Sequence, residues 1–153
     1  MKNITTKTGL IRALKSFYGA NESALEQKYS AFDSMATSYI IETEADNEEY
    51  CAFVQRYKEL SQGLYMKEHI PSKHCEQNVW LLKPANMNQG RGIEIVKNLR
   101  ELKNILSTKP PHTQWVLQKY IERPLLYRER KFDIRVWALV TDSADVCDTR
   151  LSG

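Results

Sequence analysis

The sequence lacks the signatures of several familiar protein classes. No apolar run approaches the ~18 residues that span a bilayer, and the N-terminus has no apolar stretch of the kind found in secretory signals. The three cysteines are an odd number, lie far apart and form no CxxC pair, which argues against a disulfide framework and a zinc site. We therefore expect a soluble intracellular protein with reduced thiols and no membrane partner.

Metal-binding clusters and the common nucleotide-binding motifs are also missing. His69, His74 and Cys75 lie close together, but a zinc site needs a fourth ligand, so we interpret them as surface loop residues and assign no metal ligand. The chain has no GxxxxGK[ST] phosphate loop and no GxGxxG turn before a helix. A nucleotide site in this chain would therefore use neither of these two motifs.

The charge is distributed unevenly along the chain. The 22 Lys and Arg and 19 Asp and Glu give a net charge of +3, but residues 91–135 contain 11 basic and 5 acidic side chains. A basic stretch in an otherwise balanced chain indicates an anionic partner, either phosphate groups or an acidic peptide. A solvated basic face is the alternative interpretation.

At 153 residues the chain has the length of one domain, and its first third has helical periodicity. One helix is predicted from a Thr8 cap to about Gly19, and a second from the capping pair Asp46 and Glu49 to Gly63. The apolar stripe of the second helix, which we assign to the core, consists of Phe53, Val54, Tyr57 and Leu60.

From residue 79 the pattern changes to strands interleaved with one helix. Apolar runs predict strands at 79–82, 92–96, 115–121 and 131–140. A helix is predicted after Asn98, which forms a capping pair with Glu101. This alternation is typical of an α/β sheet rather than of an all-β domain.

The loop from Asn86 to Gly92 contains two glycines, three amide side chains and Arg91. Backbone N–H groups in such a loop can approach phosphate oxygens, although a plain hairpin turn has the same composition. Lys83 ends the preceding strand, where its ammonium can reach an anion held by the loop. The run from Gln118 to Ile121 offers backbone groups and an apolar pair suited to adenine, or is an ordinary buried strand.

The segment from Lys131 to Val136 alternates polar and apolar residues. In a strand this pattern places Lys131, Asp133 and Arg135 on one face and the apolar residues, Phe132 among them, on the other. Two cations flanking a carboxylate suit a phosphate with its metal, or a substrate carboxylate. The alternative is a solvated face of an edge strand.

These segments together resemble the tubulin-tyrosine ligase-like family of ATP-grasp ligases. The resemblance rests on NVWLLKPANMNQGRGIEI, WVLQKYIERPLL and RKFDIRVWALVTD, in the family's order, with ITTKTGL near the start. It covers about residues 4 to 142 and implies an incomplete ATP-grasp fold of the α/β class. It also implies an ATP-dependent ligase that adds glutamate or glycine, with tyrosine a third choice, to tubulin or a similar acidic protein.

The resemblance implies roles for individual residues. The implied nucleotide-binding residues are Lys83, Gln89, Gly90, Arg91, Gly92, Gln118, Lys119, Tyr120, Ile121, Lys131 and Asp133. Lys131, Asp133 and Arg135 would also carry the catalytic step, with Arg135 toward the γ-phosphate. In that step an acceptor carboxylate becomes an acylphosphate, which the amine of an amino acid attacks. Mg²⁺ would help to neutralise the phosphoryl group.

The resemblance ends after Asp142. Family members continue into a lobe with an arginine for the amino acid and an acidic Glu-x-Asn motif for magnesium, and residues 143–153 match neither. We therefore expect a truncated ligase that does not complete ligation alone. In this interpretation residues 1–78 are a largely helical portion, residues 79–142 the nucleotide-binding portion, and residues 143–153 a tail.

The expected partners also follow from the resemblance. They are tubulin or microtubules, through their acidic tails, a free amino acid, ATP and Mg²⁺, but not nucleic acid. The expected location is the cytoplasm and cytoskeleton, including the cilium or basal body. The alternatives are a non-catalytic module that binds microtubules or acidic tails through the basic stretch, and a ligase for a small-molecule acceptor.

Overall fold

The computed structural model describes residues 4–20, 31–43, 48–63 and 77–137, which form a mixed helix and sheet fold. In chain order the elements are α1 (Lys7–Ala20), α2 (Ala31–Ser34), β1 (Ser38–Glu42), α3 (Glu48–Ser61), β2 (Trp80–Pro84), β3 (Glu94–Val96), α4 (Leu99–Ser107), β4 (Gln114–Lys119), β5 (Leu126–Tyr127) and β6 (Arg130–Lys131). The first four strands form one antiparallel sheet in the order β1, β4, β2, β3, and β5 pairs with β6. The predicted α/β class is confirmed.

One face of the sheet is apolar and aromatic and carries the main core. Tyr39 and Leu82 both pair with Leu117, from opposite sides of β4, so their side chains share this face. Helices α3 and α4 pack on it. The buried cluster consists of Tyr39, Ile41, Phe53, Trp80, Leu82, Val96, Leu102, Leu106, Trp115 and Leu117. The predicted core position of Phe53 is thereby confirmed.

The capping signal of α4 acts as predicted. Asn98 is the N-cap, and its Oδ1 accepts a hydrogen bond of 2.8 Å from the Glu101 N–H. The Glu101 carboxylate reaches back to the Lys97 N–H at 2.8 Å. The helix therefore begins where its sequence satisfies the first N–H groups, and Leu102 and Leu106, one turn apart, meet the core.

Helix α1 packs on the opposite face of the sheet, where Ile11 is buried against Ile40 and Val116. The Thr6 Oγ1 accepts a hydrogen bond of 3.0 Å from the Gly9 N–H. The cap is therefore Thr6 and not Thr8, because Thr8 already lies within the first turn of the helix. None of the described helices is long and apolar enough to cross a membrane.

Glu49 joins α1, β1 and α3. Its carboxylate accepts hydrogen bonds from the Lys15 ammonium at 2.6 Å and from the Ile40 N–H at 3.1 Å. Glu49 is thus bound to two other elements, and Asp46, the first half of the predicted capping pair, lies outside the described residues. The contact fixes α1 against the edge of the sheet.

The predicted strand at 131–140 is wrong for residues 132–137. Only Arg130–Lys131 pairs as a strand, the following six residues have no strand partner in the described ranges, and residues 138–140 lie outside them. Phe132, Ile134 and Val136, which the alternation assigns to a buried face, are 42%, 76% and 78% exposed. Alternation indicates a strand only where a neighbouring strand can take up its backbone hydrogen bonds.

Candidate functional site

Three lysines from distant parts of the chain lie near one another, and one of them, Lys83, is on the sheet face on which α1 packs. Lys83 is on β2, Lys7 is the first residue of α1, and Lys131 ends β6. Burial lowers the pKa of Lys83 below its usual 10.5, and the charges of Lys7 and then Lys131 lower it further. We refer to Lys7, Lys83 and Lys131 as the lysine group. Its mutual repulsion would be relieved by a bound anion.

Neutral groups orient Lys83 without compensating its charge. Its ammonium donates to Gln118 Oε1 at 2.5 Å, and Gln118 Nε2 donates to Ser38 Oγ at 2.9 Å. Ser38 is fully buried and donates in turn to the Ala36 carbonyl at 2.7 Å. The chain of hydrogen bonds therefore holds the ammonium in place while leaving its positive charge for a ligand.

Lys7 connects α1 to the loop between β2 and β3. Its ammonium donates to the Pro84 carbonyl at 3.1 Å and also to the Met87 carbonyl. It lies in the first turn of a 14-residue helix that has no acidic residue in that turn. The positive end of the helix dipole therefore adds to the charge of the lysine group.

The loop at 85–92 folds back over the end of β2. Gln89, Gly90 and Gly92 have φ values of 58°, 73° and 68°. A Cβ on Gly92 would lie 3.0 Å from Pro84 Cγ and 3.2 Å from Met87 Sδ, so this close return of the backbone requires glycine. Residues Asn86 to Gly92, with Arg91 among them, are exposed and begin three residues after Lys83. Their role over phosphates stays a prediction.

The run from Gln118 to Ile121 begins beside the lysine group, where Gln118 accepts a hydrogen bond from Lys83. Strand β4 ends at Lys119, two residues earlier than predicted, and the Lys119 side chain is buried in an ion pair with Glu122. The Tyr120 ring lies 5.7 Å from the Lys131 ammonium, and Ile121 is 49% exposed. The run thus connects a group that contacts Lys83 with an exposed apolar side chain. Its role at adenine stays a prediction.

Of the three residues assigned to the catalytic step, the structure places Lys131 alone near Lys83. Lys131 belongs to the lysine group, whereas Asp133 and Arg135 are exposed in the segment after β6. Within the described ranges, no contact joins either side chain to Lys83. Their roles stay predictions.

No cluster of His, Cys, Asp or Glu that could hold a metal ion occurs among the residues that the structure describes. Cys51 is a free and exposed cysteine. His69, His74 and Cys75, and also Cys147, lie outside the described residues. The structure therefore assigns no carboxylate of the described part to magnesium.

Sequence reasoning missed Lys7 and Ser38. Lys7 lies within ITTKTGL, but that string gives no sign that residue 7 meets residue 83. Ser38 belongs to a strand that the sequence does not predict. Both residues reach the site through tertiary contacts, which a local pattern does not encode.

A family model described as the tubulin-tyrosine ligase family matches residues 9–146. The chain belongs to this family. The matched range includes β1 to β6 and every sequence-predicted site residue, and it leaves out only Lys7 among the members of the lysine group. The mixed α/β architecture agrees with the ATP-grasp-like fold of the family.

Similar proteins are tubulin glycylases. The chain is 55% identical over 67 residues, 44% of its length, to tubulin glycylase 3C of Tetrahymena thermophila. It is 33% identical over 128 residues, 80% of its length, to tubulin monoglycylase TTLL3 of Danio rerio, and 39% identical over 92 residues, 58% of its length, to the Homo sapiens protein of that name. It spans 6%, 16% and 12% of these three relatives, respectively.

Proposed function

We propose that the chain is the nucleotide-binding part of an ATP-dependent ligase that adds glycine to tubulin. The observation that carries the proposal is the half-buried Lys83, which Gln118 orients and whose pKa is lowered by burial and by the nearby charges of Lys7 and Lys131. A triphosphate is an anion whose length and charge suit three neighbouring ammonium groups. The names of the relatives support glycine, rather than glutamate, as the amino acid.

The proposed reaction passes through an acylphosphate. An acceptor carboxylate oxygen attacks the γ-phosphorus of ATP, and ADP leaves. The glycine amine then attacks the acyl carbon, phosphate leaves, and the amine loses a proton. Lys83, already oriented by Gln118, and Lys7, placed by α1, hold the negative oxygens. Because these groups are fixed beforehand, they stabilise the charge of the transferring phosphoryl group without reorganisation.

Mg²⁺, when bound, would further neutralise the phosphate oxygens. The described residues do not assemble a carboxylate set for it, so we assign no residue of the described part to the metal. The loop at 85–92, whose Met87 carbonyl accepts a hydrogen bond from Lys7, adds the exposed Arg91. Arg91 and the lysine group are what the described part of the chain itself offers to a nucleotide.

Titration of the full chain with a fluorescent ATP analogue tests the proposal. We expect saturable binding that unlabelled ATP displaces, because the lysine group is formed before the ligand arrives. The control variant is Lys103→Met, which removes an exposed lysine of the basic stretch from α4 and should bind equally well. A chain that binds microtubules but no ATP would instead be the non-catalytic module, and the ligase proposal would be wrong.

We also propose that the acidic tails of tubulin contact the β5–β6 hairpin. Arg128 and Arg130 are exposed there, and the Arg128 guanidinium lies 5.3 Å from the Tyr127 ring. Arg128 and Glu129 form the tip with φ values of 49° and 63°, a conformation in which other turns favour glycine or asparagine. The tip therefore presents charged side chains where smaller residues would be less strained. This interaction would place the protein at the cytoskeleton.

Binding to a polyglutamate peptide is expected to weaken steeply as salt rises. Exposed charges are screened over ~8 Å at physiological ionic strength. The double variant Arg128→Glu and Arg130→Glu should lower the affinity about tenfold or more, because like charges then oppose each other. The control, Arg12→Glu with Lys58→Glu, makes the same charge change at exposed positions outside the basic stretch. Affinity that is indifferent to salt, or equal losses in both double variants, would contradict the assignment.

A further inference from the structure

A buried ion pair holds the connection that follows β4. The Lys119 ammonium lies 2.5 Å from Glu122 Oε1, and the side chains are only 5% and 10% exposed. The same ammonium donates to the Val79 and Tyr120 carbonyls, at 3.2 Å each. It also lies 6.0 Å from the centroid of the Trp80 ring. Every donor of Lys119 is thus used inside the protein.

The second oxygen of Glu122 holds a different segment. Glu122 Oε2 accepts a hydrogen bond of 2.6 Å from the Gln77 N–H, just before β2. The Tyr120 N–H donates to the Val79 carbonyl at 3.0 Å. One carboxylate therefore ties the backbone that enters β2 to the backbone that leaves β4, and the segment between Lys119 and Glu122 has little freedom to move.

This arrangement does more than stabilise the sheet. Two apolar side chains of similar size would stabilise a buried position at least as well as an ion pair, without the cost of removing two charges from water. The pair instead fixes geometry, because charged hydrogen bonds are directional. The ion pair therefore fixes the position of Tyr120, which contacts Lys131, and of Ile121, which is half exposed.

We infer that Glu122 is a positioning residue for the base half of the nucleotide. By holding Lys119, it keeps the backbone of Tyr120 and Ile121 in the position that receives adenine, while the lysine group receives the triphosphate. The inference rests on the proposed function. Glu122 then affects the binding of the base, whereas Lys7, Lys83 and Lys131 affect the binding of the phosphates, and the two effects can be measured separately.

The test compares two ligands of the full chain, ATP and inorganic tripolyphosphate, which lacks the base. Glu122→Gln keeps the shape of the side chain but removes its charge. We expect it to weaken ATP binding about tenfold or more, as for loss of a hydrogen bond between charged groups, and to change tripolyphosphate binding by less than about twofold. Glu122→Asp, which keeps the charge, should recover part of the ATP affinity.

The control variant is Glu59→Gln, which breaks another i,i+3 ion pair, with Arg56 on α3, and should leave both affinities unchanged. If Glu122→Gln does not fold, the double variant Lys119→Met with Glu122→Leu removes both charges and carries the same expectation. Equal losses for both ligands, or no loss for either, would overturn the inference alone. Failure of the unaltered chain to bind ATP would overturn the proposed function, and the inference with it.

Discussion

Lys83→Met is expected to lower the affinity for ATP by at least about 100-fold, which corresponds to the loss of one well-placed hydrogen bond between charged groups. Lys83 is the member of the lysine group that is half buried and oriented, through Gln118, by the buried Ser38. Its ammonium therefore reaches a phosphate with little loss of side-chain freedom. Titration with a fluorescent ATP analogue, and with inorganic tripolyphosphate, measures the effect, and both ligands should lose affinity.

The same substitution should not destabilise the protein without ATP. The pKa of Lys83 is lowered in the folded state, so between that value and 10.5 the unfolded chain binds more protons. The free energy of unfolding therefore rises with pH across this interval, and Lys83→Met should lose that rise. Urea denaturation at several alkaline pH values measures it. A variant that binds ATP normally, or one that is much less stable near neutral pH, would show that Lys83 is a packing residue.

Trp80→Ala is expected to cost about 3–5 kcal/mol, the range for truncating a large buried aromatic residue. Trp80 is fully buried, and its ring lies 5.0 Å from the Phe53 ring in an edge-to-face contact. Its indole N–H donates to Asn78 Oδ1 at 2.7 Å. Because domains are stable by about 5–15 kcal/mol, this one change should remove a large part of the stability.

Urea denaturation followed by circular dichroism measures that loss. The matched control is Trp137→Ala, because Trp137 is 87% exposed and its removal should change the stability by no more than about 0.5 kcal/mol. Similar losses at both positions would mean that the aromatic cluster under α3 and α4 is not the main core.

Local signals predicted the elements whose formation depends on neighbouring residues in the chain. Asn98 with Glu101 predicted the start of α4, and the apolar run at 79–82 predicted most of β2. The stripe around Phe53 predicted the buried side of α3. In each case the sequence itself supplies the cap or the periodicity that decides the structure.

Two segments whose structure depends on a distant partner were not predicted correctly. Strand β1 forms because Ser38–Glu42 pairs with β4, more than 70 residues away along the chain, and its short apolar run also suits a helix. The segment after Lys131 shows the opposite case, since its alternation is clear but it has no strand partner in the described ranges.

The candidate site was predictable in part for the same reason. The sequence predicted Lys83, Gln118 and Lys131 as site residues because each lies in a short segment whose pattern suggested a strand or a phosphate-binding loop. How these residues are placed relative to one another depends on the strand order β1, β4, β2, β3. The presence of Lys7 beside them depends on the packing of α1 against the sheet. A single sequence contains no local signal for that order.

The hydrogen bond from the Ile40 N–H to Glu49 also bears on whether strand β1 can pair with a strand of a second molecule. Strand β1 is an edge of the sheet, and unpaired N–H groups on an edge are templates for a strand from another molecule. The Glu49 carboxylate accepts a hydrogen bond of 3.1 Å from the Ile40 N–H, so this donor is already used within the protein. Glu49 therefore leaves one unpaired N–H fewer on the described edge of the sheet, in addition to holding α1 in place.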